Sequence, residues 1–496
     1  MIEFYIAIIV LVFCLYQKWK CSYWKRRNVA GPAPLPIFGN LIEYIFARKH
    51  SGEVYDEIFA KYKFAAYVGI YRTFNEPVIL VRDLELVKEV LVGGFQSFNA
   101  NDFYVDEKID PLLARNPFSV SGTKWKENRN LVSPIFSAAK VKGVIPIING
   151  IADDFVTYID RELEKNVVDF EAKDICSKYT INVVASCVFG VEGESFTNPD
   201  AEFCQMGRDV FKPSFRSQLV VIMSTLLPSL NKVLRVPFIP DHVDKWFRNT
   251  VKQVQKLREK SKKNDLFQLM LDTLEHKGTL SEDDLVGHSV TFLTEGFETS
   301  STLMTYLLYE LASHPDAQRK VQNEIDSVSK EYGFTDEGLH KLEYLDRAMH
   351  ETLRLHSPVY TLSKVCTKEY KLPPQYDNDK DGTTIQPGTT CIIPVHAIHK
   401  DDEIYPNPYR FDPDRFTKEN IEQRHRYSFL GFGEGPRICL GMKFGLAQSK
   451  MGIAKLLAKY SVKISAKQEM PLQFSKKTLI LTSENGVWIN FVKREF

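Results

Sequence analysis

The stretch "FLGFGEGPRICLG", residues 429 to 441, sets a lone cysteine, Cys439, among four glycines, with Arg437 two positions before it and Gly441 two after. Gly431, Gly433 and Gly435 let the backbone bend tightly, or approach a bound group where a side chain would collide. Such a stretch suits a thiolate presented to something large and flat. From Met442 to Tyr460 apolar residues return at helical spacing. Cys439 therefore sits just before a helix, where amide donors and the positive end of the dipole stabilise an anion.

Zinc at Cys439 needs further protein ligands, and no adjacent His or Cys cluster supplies them. A phosphate loop needs GxxxxGK[ST], which "GFGEGPRICLG" lacks. A cysteine nucleophile stays open, although the sequence identifies no base for it. A haem iron fits more simply, because it needs only one proximal protein ligand.

The remaining composition narrows the class. The chain has 496 residues, 44% of them hydrophobic, with 33 Phe and 22 Tyr, enough to bury a large core. A net charge of +1 argues against a nucleic-acid partner. No linker, repeat or low-complexity run divides the chain, so one large unit is expected. Eight cysteines, at 14, 21, 176, 187, 204, 366, 391 and 439, are too scattered for a disulfide framework.

"MIEFYIAIIVLVFCLYQKW" is apolar from Phe4 to Tyr16 and is followed by Lys18, Lys20, Lys25, Arg26 and Arg27. Glu3 precedes the run and the bases follow it, which favours an uncleaved membrane anchor with the rest of the chain on the cytoplasmic side over a cleaved signal or a buried helix. Residues 1–20 are read as the anchor, 21–40 as a basic, Pro-rich hinge containing "GPAPLPIFGN", and 41–496 as the catalytic domain.

"YVGIYRTFNEPVILVRD" (67–83) reads as two strands about a turn at Asn75 and Pro77. From Ser281 to Ser313 a Ser cap, acidic first-turn residues and a stop before Pro315 predict a helix about 50 Å long. Its interior carries a polar island of Glu295, Glu298, Thr299, Ser300 and Ser301 beside Gly296. Helix propensity gives no reason for that patch. Residues 371–398 read as short strands and turns, and "YPNPYRFDPDRF" (405–416) as loop.

Together these stretches resemble the cytochromes P450. Phe432, Gly435, Arg437, Cys439 and Gly441 fit the haem-binding pattern FxxGxRxCxG. The chain is similar, from about Gly31 to its end, to microsomal P450s, particularly insect enzymes related to the xenobiotic-metabolising families. The resemblance implies a mostly α fold with a large helical region and smaller β-sheets, haem b, and Cys439 as the axial iron ligand. Gly431 stands where these proteins usually have proline, a change expected to loosen the loop.

The same resemblance assigns further residues. Glu351 and Arg354 in "ETLRLHSP" match the ExxR pair, which with Arg415 is expected to assemble the haem-binding core rather than to oxidise anything. Trp125 and Arg129 in "WKENR", with Lys364 and Arg437, are expected near the haem propionates. Lys364 replaces a common Arg and loses its two-pronged donor geometry. "EGFETS" (295–300) matches the oxygen-activation pattern, with Thr299 and Glu298 as the expected proton-delivery pair. A Thr bonded back to the preceding helical turn is the alternative reading. Glu295, where Ala or Gly is commoner, is a candidate for covalent attachment to haem.

The expected pocket includes Asn101 to Val120, the segment Phe203 to Leu219, Phe292, Phe297, Thr361 and Leu362, and the apolar stretch 219–230 is a second candidate membrane contact. The implied reaction inserts one oxygen atom of O2 into a lipophilic molecule, in detoxification or in lipid or hormone metabolism. Electrons come from NADPH through a separate NADPH–cytochrome P450 reductase, with cytochrome b5 as a second candidate donor. The reductase would meet Lys126, Arg424, Arg426 and Lys443 at the endoplasmic reticulum membrane. A haem-dependent isomerase or dehydratase, or a non-enzymatic haem protein, would keep Cys439 but has no need of Glu298 and Thr299.

Overall fold

The computed structural model describes residues 1–103, 105–211, 216, 219, 220, 222, 223, 228–263, 265–277, 281–376 and 381–495. The helices that position the site are α1 (Ile2–Cys21), α2 (Gly122–Val132), α3 (Ala138–Glu164), α4 (Ala172–Val184), α5 (Glu202–Phe211), α6 (Asp241–Lys260), α7 (Glu282–Ser313), α8 (Glu343–Leu355) and α9 (Met442–Lys459). The strands are β1 (Tyr67–Tyr71), β2 (Pro77–Val81), β3 (Ala100–Asn101), β4 (Phe170–Glu171), β5 (Thr361–Val365), β6 (Tyr370–Lys371), β7 (Thr384–Ile385), β8 (Thr390–Pro394), β9 (Tyr460–Ile464) and β10 (Trp488–Lys493).

A five-stranded sheet has the order β1-β2-β8-β5-β3, with only β2 and β8 parallel. Smaller sheets join β4, β10 and β9, and β6 with β7. The expected strand pair at 67–83 is β1 and β2, in register from Tyr67 opposite Val81 to Tyr71 opposite Pro77. One hydrophobic core surrounds α7 and includes faces of α3, α4, α8 and α9; a second covers the five-stranded sheet.

Helix α7 starts where the sequence places it. Ser281 Oγ accepts from Asp284 N at 3.1 Å, and Glu282, Asp283 and Asp284 face the positive end of the dipole. The helix is buried around most of its circumference, so its polar groups need internal partners. Three consecutive carbonyls find them in side chains of other helices. Gly296 O accepts from Gln448 Nε2 (2.9 Å), Phe297 O from Thr180 Oγ1 (3.1 Å) and Glu298 O from Lys173 Nζ (2.9 Å). Gly296 lets α4 approach: a Cβ there would lie 3.1 Å from Val184 Cγ2.

Helix α1 is long and apolar enough to cross a membrane and leaves almost all of its surface exposed. The following stretch, read from sequence as a hinge, makes contacts with the body. Trp24 is buried and donates from Nε1 to Ile70 O at 2.9 Å, and Gly69 donates from N to Ala30 O at 2.9 Å. A Cβ at Gly69 would sit 2.5 Å from Trp24 Cγ, so a glycine in β1 makes the seat for this indole. The stretch 219–230 and the end of 203–219 fall partly outside the described residues.

Candidate active site

The Cys439 loop is folded by its own backbone. Cys439 N donates to Phe432 O at 2.8 Å, Ile438 N to Gly435 O at 3.0 Å and Gly433 N to Leu430 O at 2.9 Å. Gly433 and Gly435 have φ of 69° and 75°, and a Cβ at Gly435 would lie 2.2 Å from Leu91 O. At Gly441 a Cβ would meet nothing within 4 Å, and at Gly433 only Leu362 Cδ1 at 3.9 Å. The loop therefore borders open space. Gly431 is the reverse: a Cβ would lie 2.7 Å from Phe429 Cζ and 3.3 Å from Leu353 Cβ. The absent proline does not loosen the loop, because the Phe429 ring occupies the space beside Gly431.

Cys439 is exposed, yet protein encloses its thiol so fully that burial is the largest influence on its acidity. Glu295 shows the same combination. Both observations hold if the exposed surface of each faces an interior void rather than bulk solvent. The Glu295 charge also acts on the Cys439 thiol. Burial and then Glu295 push the Cys439 thiol up to about 11, while the N–H groups of Gly441 and Met442 and the charge of Arg129 act in the opposite sense. The start of α9 thus favours the thiolate without winning. A metal ion on the sulfur is what would deprotonate it at neutral pH.

Three cations gather beside the loop. Arg437 is held over the Trp125 ring at 4.7 Å and donates to the carbonyls of Asn99, Pro117 and Val120 at 2.7, 2.9 and 2.7 Å. Arg129 donates to Ile438 O at 2.7 Å, and buried Lys364 donates to Asn101 Oδ1 at 2.6 Å. Among the described residues none of the three has an ion-pair partner. Their positive charges instead oppose one another: burial and Arg129 push Arg437 down to about 10, and burial and Arg437 push Lys364 down to about 7. A partly buried group of like charges favours an anion from elsewhere.

The polar island of α7 divides into two sets. Glu298, Ser300 and Ser301 are buried and staple α7 to its neighbours: the Glu298 carboxylate lies 3.0 Å from Lys173 Nζ, Ser301 Oγ is 2.7 Å from the same ammonium, and Ser300 Oγ accepts from Gln448 Nε2 at 2.8 Å. Glu295 and Thr299 are the members that keep accessible surface. Thr299 Oγ1 donates to Glu295 O at 2.7 Å, the back-bonded alternative of the sequence reading. The structure does not bring Glu298 and Thr299 together as a hydrogen-bonded pair.

Glu351 and Arg354 form a two-pronged ion pair at 2.7 and 2.8 Å with no solvent exposure. Arg415 Nε lies 3.4 Å from Glu351 Oε1, and its Nη2 donates to Pro406 O and Asn407 O. Sequence reasoning missed the next link, His399. Its Nδ1 lies 3.2 Å from Arg354 O and its Nε2 accepts from Leu430 N at 2.8 Å, so one neutral imidazole joins the ion pair to the cysteine loop. Burial lowers the His399 pKa, which keeps Nε2 free to accept.

The expected pocket residues separate. Thr361 and Leu362 on β5 are half-buried, and Leu362 lies by Gly433 at the void. Phe297 has no exposed surface and packs on Phe211 and Gly207 of α5, so its ring belongs to the core rather than the void wall. Phe292 is also buried, edge-on to Phe136 at 5.0 Å. From the 101–120 segment, Asn116 reaches Glu295, donating from Nδ2 to Oε1 at 2.6 Å. Of the proposed docking bases, Lys126, Arg426 and Lys443 are exposed, with Arg426 3.5 Å from Glu434. Arg424 is not a free cation. It lies 4.9 Å from both the Tyr405 and Phe416 rings and donates to Arg415 O at 2.6 Å.

A family profile described as Cytochrome P450 matches residues 29–490. The chain belongs to the cytochrome P450 family. Similar P450s include the probable cytochrome P450 308a1 of Drosophila melanogaster, 33% identical over 507 residues that cover 100% of this chain and 99% of that one. The probable cytochrome P450 6a13 of the same fly is 34% identical, covering 97% and 98% of the two chains. Cytochrome P450 9e2 of Blattella germanica is 31% identical, covering 99% and 97%. The chain is thus a P450 of the insect microsomal type, with the mostly helical P450 fold and its smaller sheets. At the family level it is a haem-thiolate monooxygenase, and haem b is the cofactor that membership implies. The void fits that cofactor chemically: an enclosed thiol lies to one side, and cations lacking counter-charges suit two carboxylates.

Proposed function

We propose that this P450 inserts one oxygen atom of O2 into a lipophilic organic substrate, in detoxification or in endogenous lipid or hormone metabolism. Electrons are drawn from NADPH through the membrane-bound reductase, with cytochrome b5 as a second donor. The helix α1 anchors the chain in the endoplasmic reticulum membrane with the body toward the cytoplasm. The observation that carries the reading is the enclosed Cys439 thiol in a void shared with Glu295, beside buried Lys364 and half-buried Arg129 and Arg437, which lack an ion-pair partner among the described residues.

When bound, haem supplies oxygen activation, and thiolate ligation is known in P450s to favour O–O cleavage. The chain's own residues do the rest. Cys439 would hold the iron as a thiolate, whose charge the N–H groups of Gly441 and Met442 and the charge of Arg129 favour. Arg129, Lys364 and Arg437 would hold the propionates, and the Arg437 guanidinium is positioned over the Trp125 ring at 4.7 Å. Phe432 O takes the Cys439 N–H and fixes the sulfur's direction. Thr299 presents its hydroxyl oxygen at the void and must turn its proton from Glu295 O to donate it there. Glu298 exchanges protons on the far side through partly exposed Lys173, and must turn from that ammonium to serve Thr299. The exposed bases Lys126 and Lys443 meet the reductase.

Reconstitution of the purified protein with reductase, NADPH and a panel of lipophilic compounds tests the reading. Oxygenated product that requires NADPH is expected; haem-loaded protein that rearranges or dehydrates substrates without NADPH overturns it. Replacing Cys439 by Ser should abolish the carbon-monoxide difference band of thiolate-ligated haem, and its persistence in folded Cys439→Ser protein removes Cys439 as ligand.

A further inference from the structure

We propose that Glu295 is the polar anchor of the substrate pocket and selects lipophilic molecules that carry a protonated amine. The inference rests on the haem-thiolate reading of the void and adds a substrate class to it.

Glu295 is the one carboxylate of the α7 polar island that keeps accessible surface. Glu298 lies against Lys173, whereas Glu295 is enclosed by protein and opens only on the void. Its carboxylate has one hydrogen-bond partner among the described residues, Asn116 Nδ2, and no cation within ion-pair distance. Asn116 is itself buried, and its Oδ1 accepts from Phe118 N at 2.7 Å. That bond settles which end of the amide faces Glu295. The donor is pre-aimed and the carboxyl is held in one orientation.

Oε1 is engaged and Oε2 has no partner among the described residues, so an acceptor remains at the void wall. The other polar group of α7 there, the Thr299 hydroxyl, spends its proton on Glu295 O. A lone carboxyl in enclosed space is costly as an anion, and burial raises its pKa accordingly. A ligand ammonium reverses that balance, because it provides both the missing counter-charge and a donor for Oε2. A neutral ligand of equal shape provides neither. Arg129, Lys364 and Arg437 do not take this place, since none of them lies within ion-pair distance of Glu295 and each donates to carbonyl or amide oxygens beside the Cys439 loop.

The test compares N,N-dimethyl-4-phenylbutylamine with its carbon isostere, (5-methylhexyl)benzene, on purified full-length holoprotein. Calorimetry reads the ratio of affinities whether or not haem is bound, and the absorption spectrum separately reports haem and its thiolate. A missing haem signal therefore counts against the haem-thiolate reading, while the ratio judges the anchor. The amine should bind tighter by roughly tenfold or more, the scale of one charge-assisted hydrogen bond. Glu295→Gln should remove most of that ratio while moving the hydrocarbon's affinity far less. The wild-type ratio stands without any variant, so a misfolded mutant does not rescue the proposal. Equal affinities overturn it. So does a long-wavelength Soret shift that puts the amine nitrogen on iron. Haem that resists acid-solvent extraction also overturns it, because an esterified Glu295 has no charge to offer.

Discussion

Two charge clusters border the cysteine loop, and they are built on opposite terms. In the first, Glu351 faces Arg354 and Arg415, its oxygens also take the Asp412 N–H, and the guanidinium nitrogens reach the carbonyls of His399, Pro406 and Asn407. Each charge there has a counter-charge within the protein. In the second, Arg129, Lys364 and Arg437 have oxygen acceptors but, among the described residues, no carboxylate partner. The first cluster is complete as folded and reads as scaffold. The second is electrically unfinished, which marks it as a place for an anionic ligand.

The largest effect should come from the matched cluster. Glu351→Gln leaves Arg354 charged and unpaired at a site with no solvent exposure, a change that costs about 3–5 kcal/mol. Thermal unfolding of the holoprotein should show a large loss of stability or failure to accumulate folded protein. An unaltered melting temperature would break the contrast, since it would mean that the pair is not needed.

In the unmatched cluster the sign depends on the ligand. Lys364→Met should stabilise the haem-free protein by removing a repelled cation, and should weaken haem retention by about tenfold or more. Both can be read from one preparation, by unfolding of the apoprotein and by haem transfer to apomyoglobin. Loss of stability in both states would assign Lys364 to the scaffold.

A smaller effect follows from proton linkage. Lys364 is pushed down to about 7 from 10.5 by burial and Arg437, so the unfolded chain holds its proton through a window in which the folded apoprotein has lost it. Stability rises with pH wherever the unfolded state binds more protons. The penalty from this lysine is therefore complete below about pH 7 and fades as pH approaches about 10.5. The difference in apoprotein stability between wild type and Lys364→Met should shrink across that window. With propionates bound the lysine stays charged and the slope should vanish.

The smallest structural effect is expected at the void wall. Thr299→Ala removes a hydroxyl that satisfies only its own helix, so haem content should hold. Product per NADPH consumed should fall and hydrogen peroxide release should rise, measured together. Unchanged coupling would take Thr299 out of proton delivery.

Much of this molecule is written in local spacing. The Cys439 loop, the capped helix at 282–313, the strand pair within 67–83 and the i, i+3 relation of Glu351 and Arg354 each follow from residues within one segment, where turn chemistry, capping and periodicity act. The family motif then placed haem chemistry beside Cys439.

Tertiary packing decided the direction in which the side chains point. Glu298 and Glu295 lie three positions apart in one motif, yet one lies against Lys173 and the other faces the void, because α4 approaches only one side of α7. Arg424 carries the same formal charge as Lys126, but Tyr405 and Phe416 flank its guanidinium while Lys126 remains exposed. Phe297 falls to the core through α5, Gly431 is made tight by Phe429, and His399 joins Arg354 to Leu430 across segments that no spacing connects. Sequence determined which chemistries were present and which helices and strands carried them. Whether a charge was paired, stacked or left facing the void was set by long-range neighbours, since desolvation and ion pairing depend on what lies across space rather than along the chain.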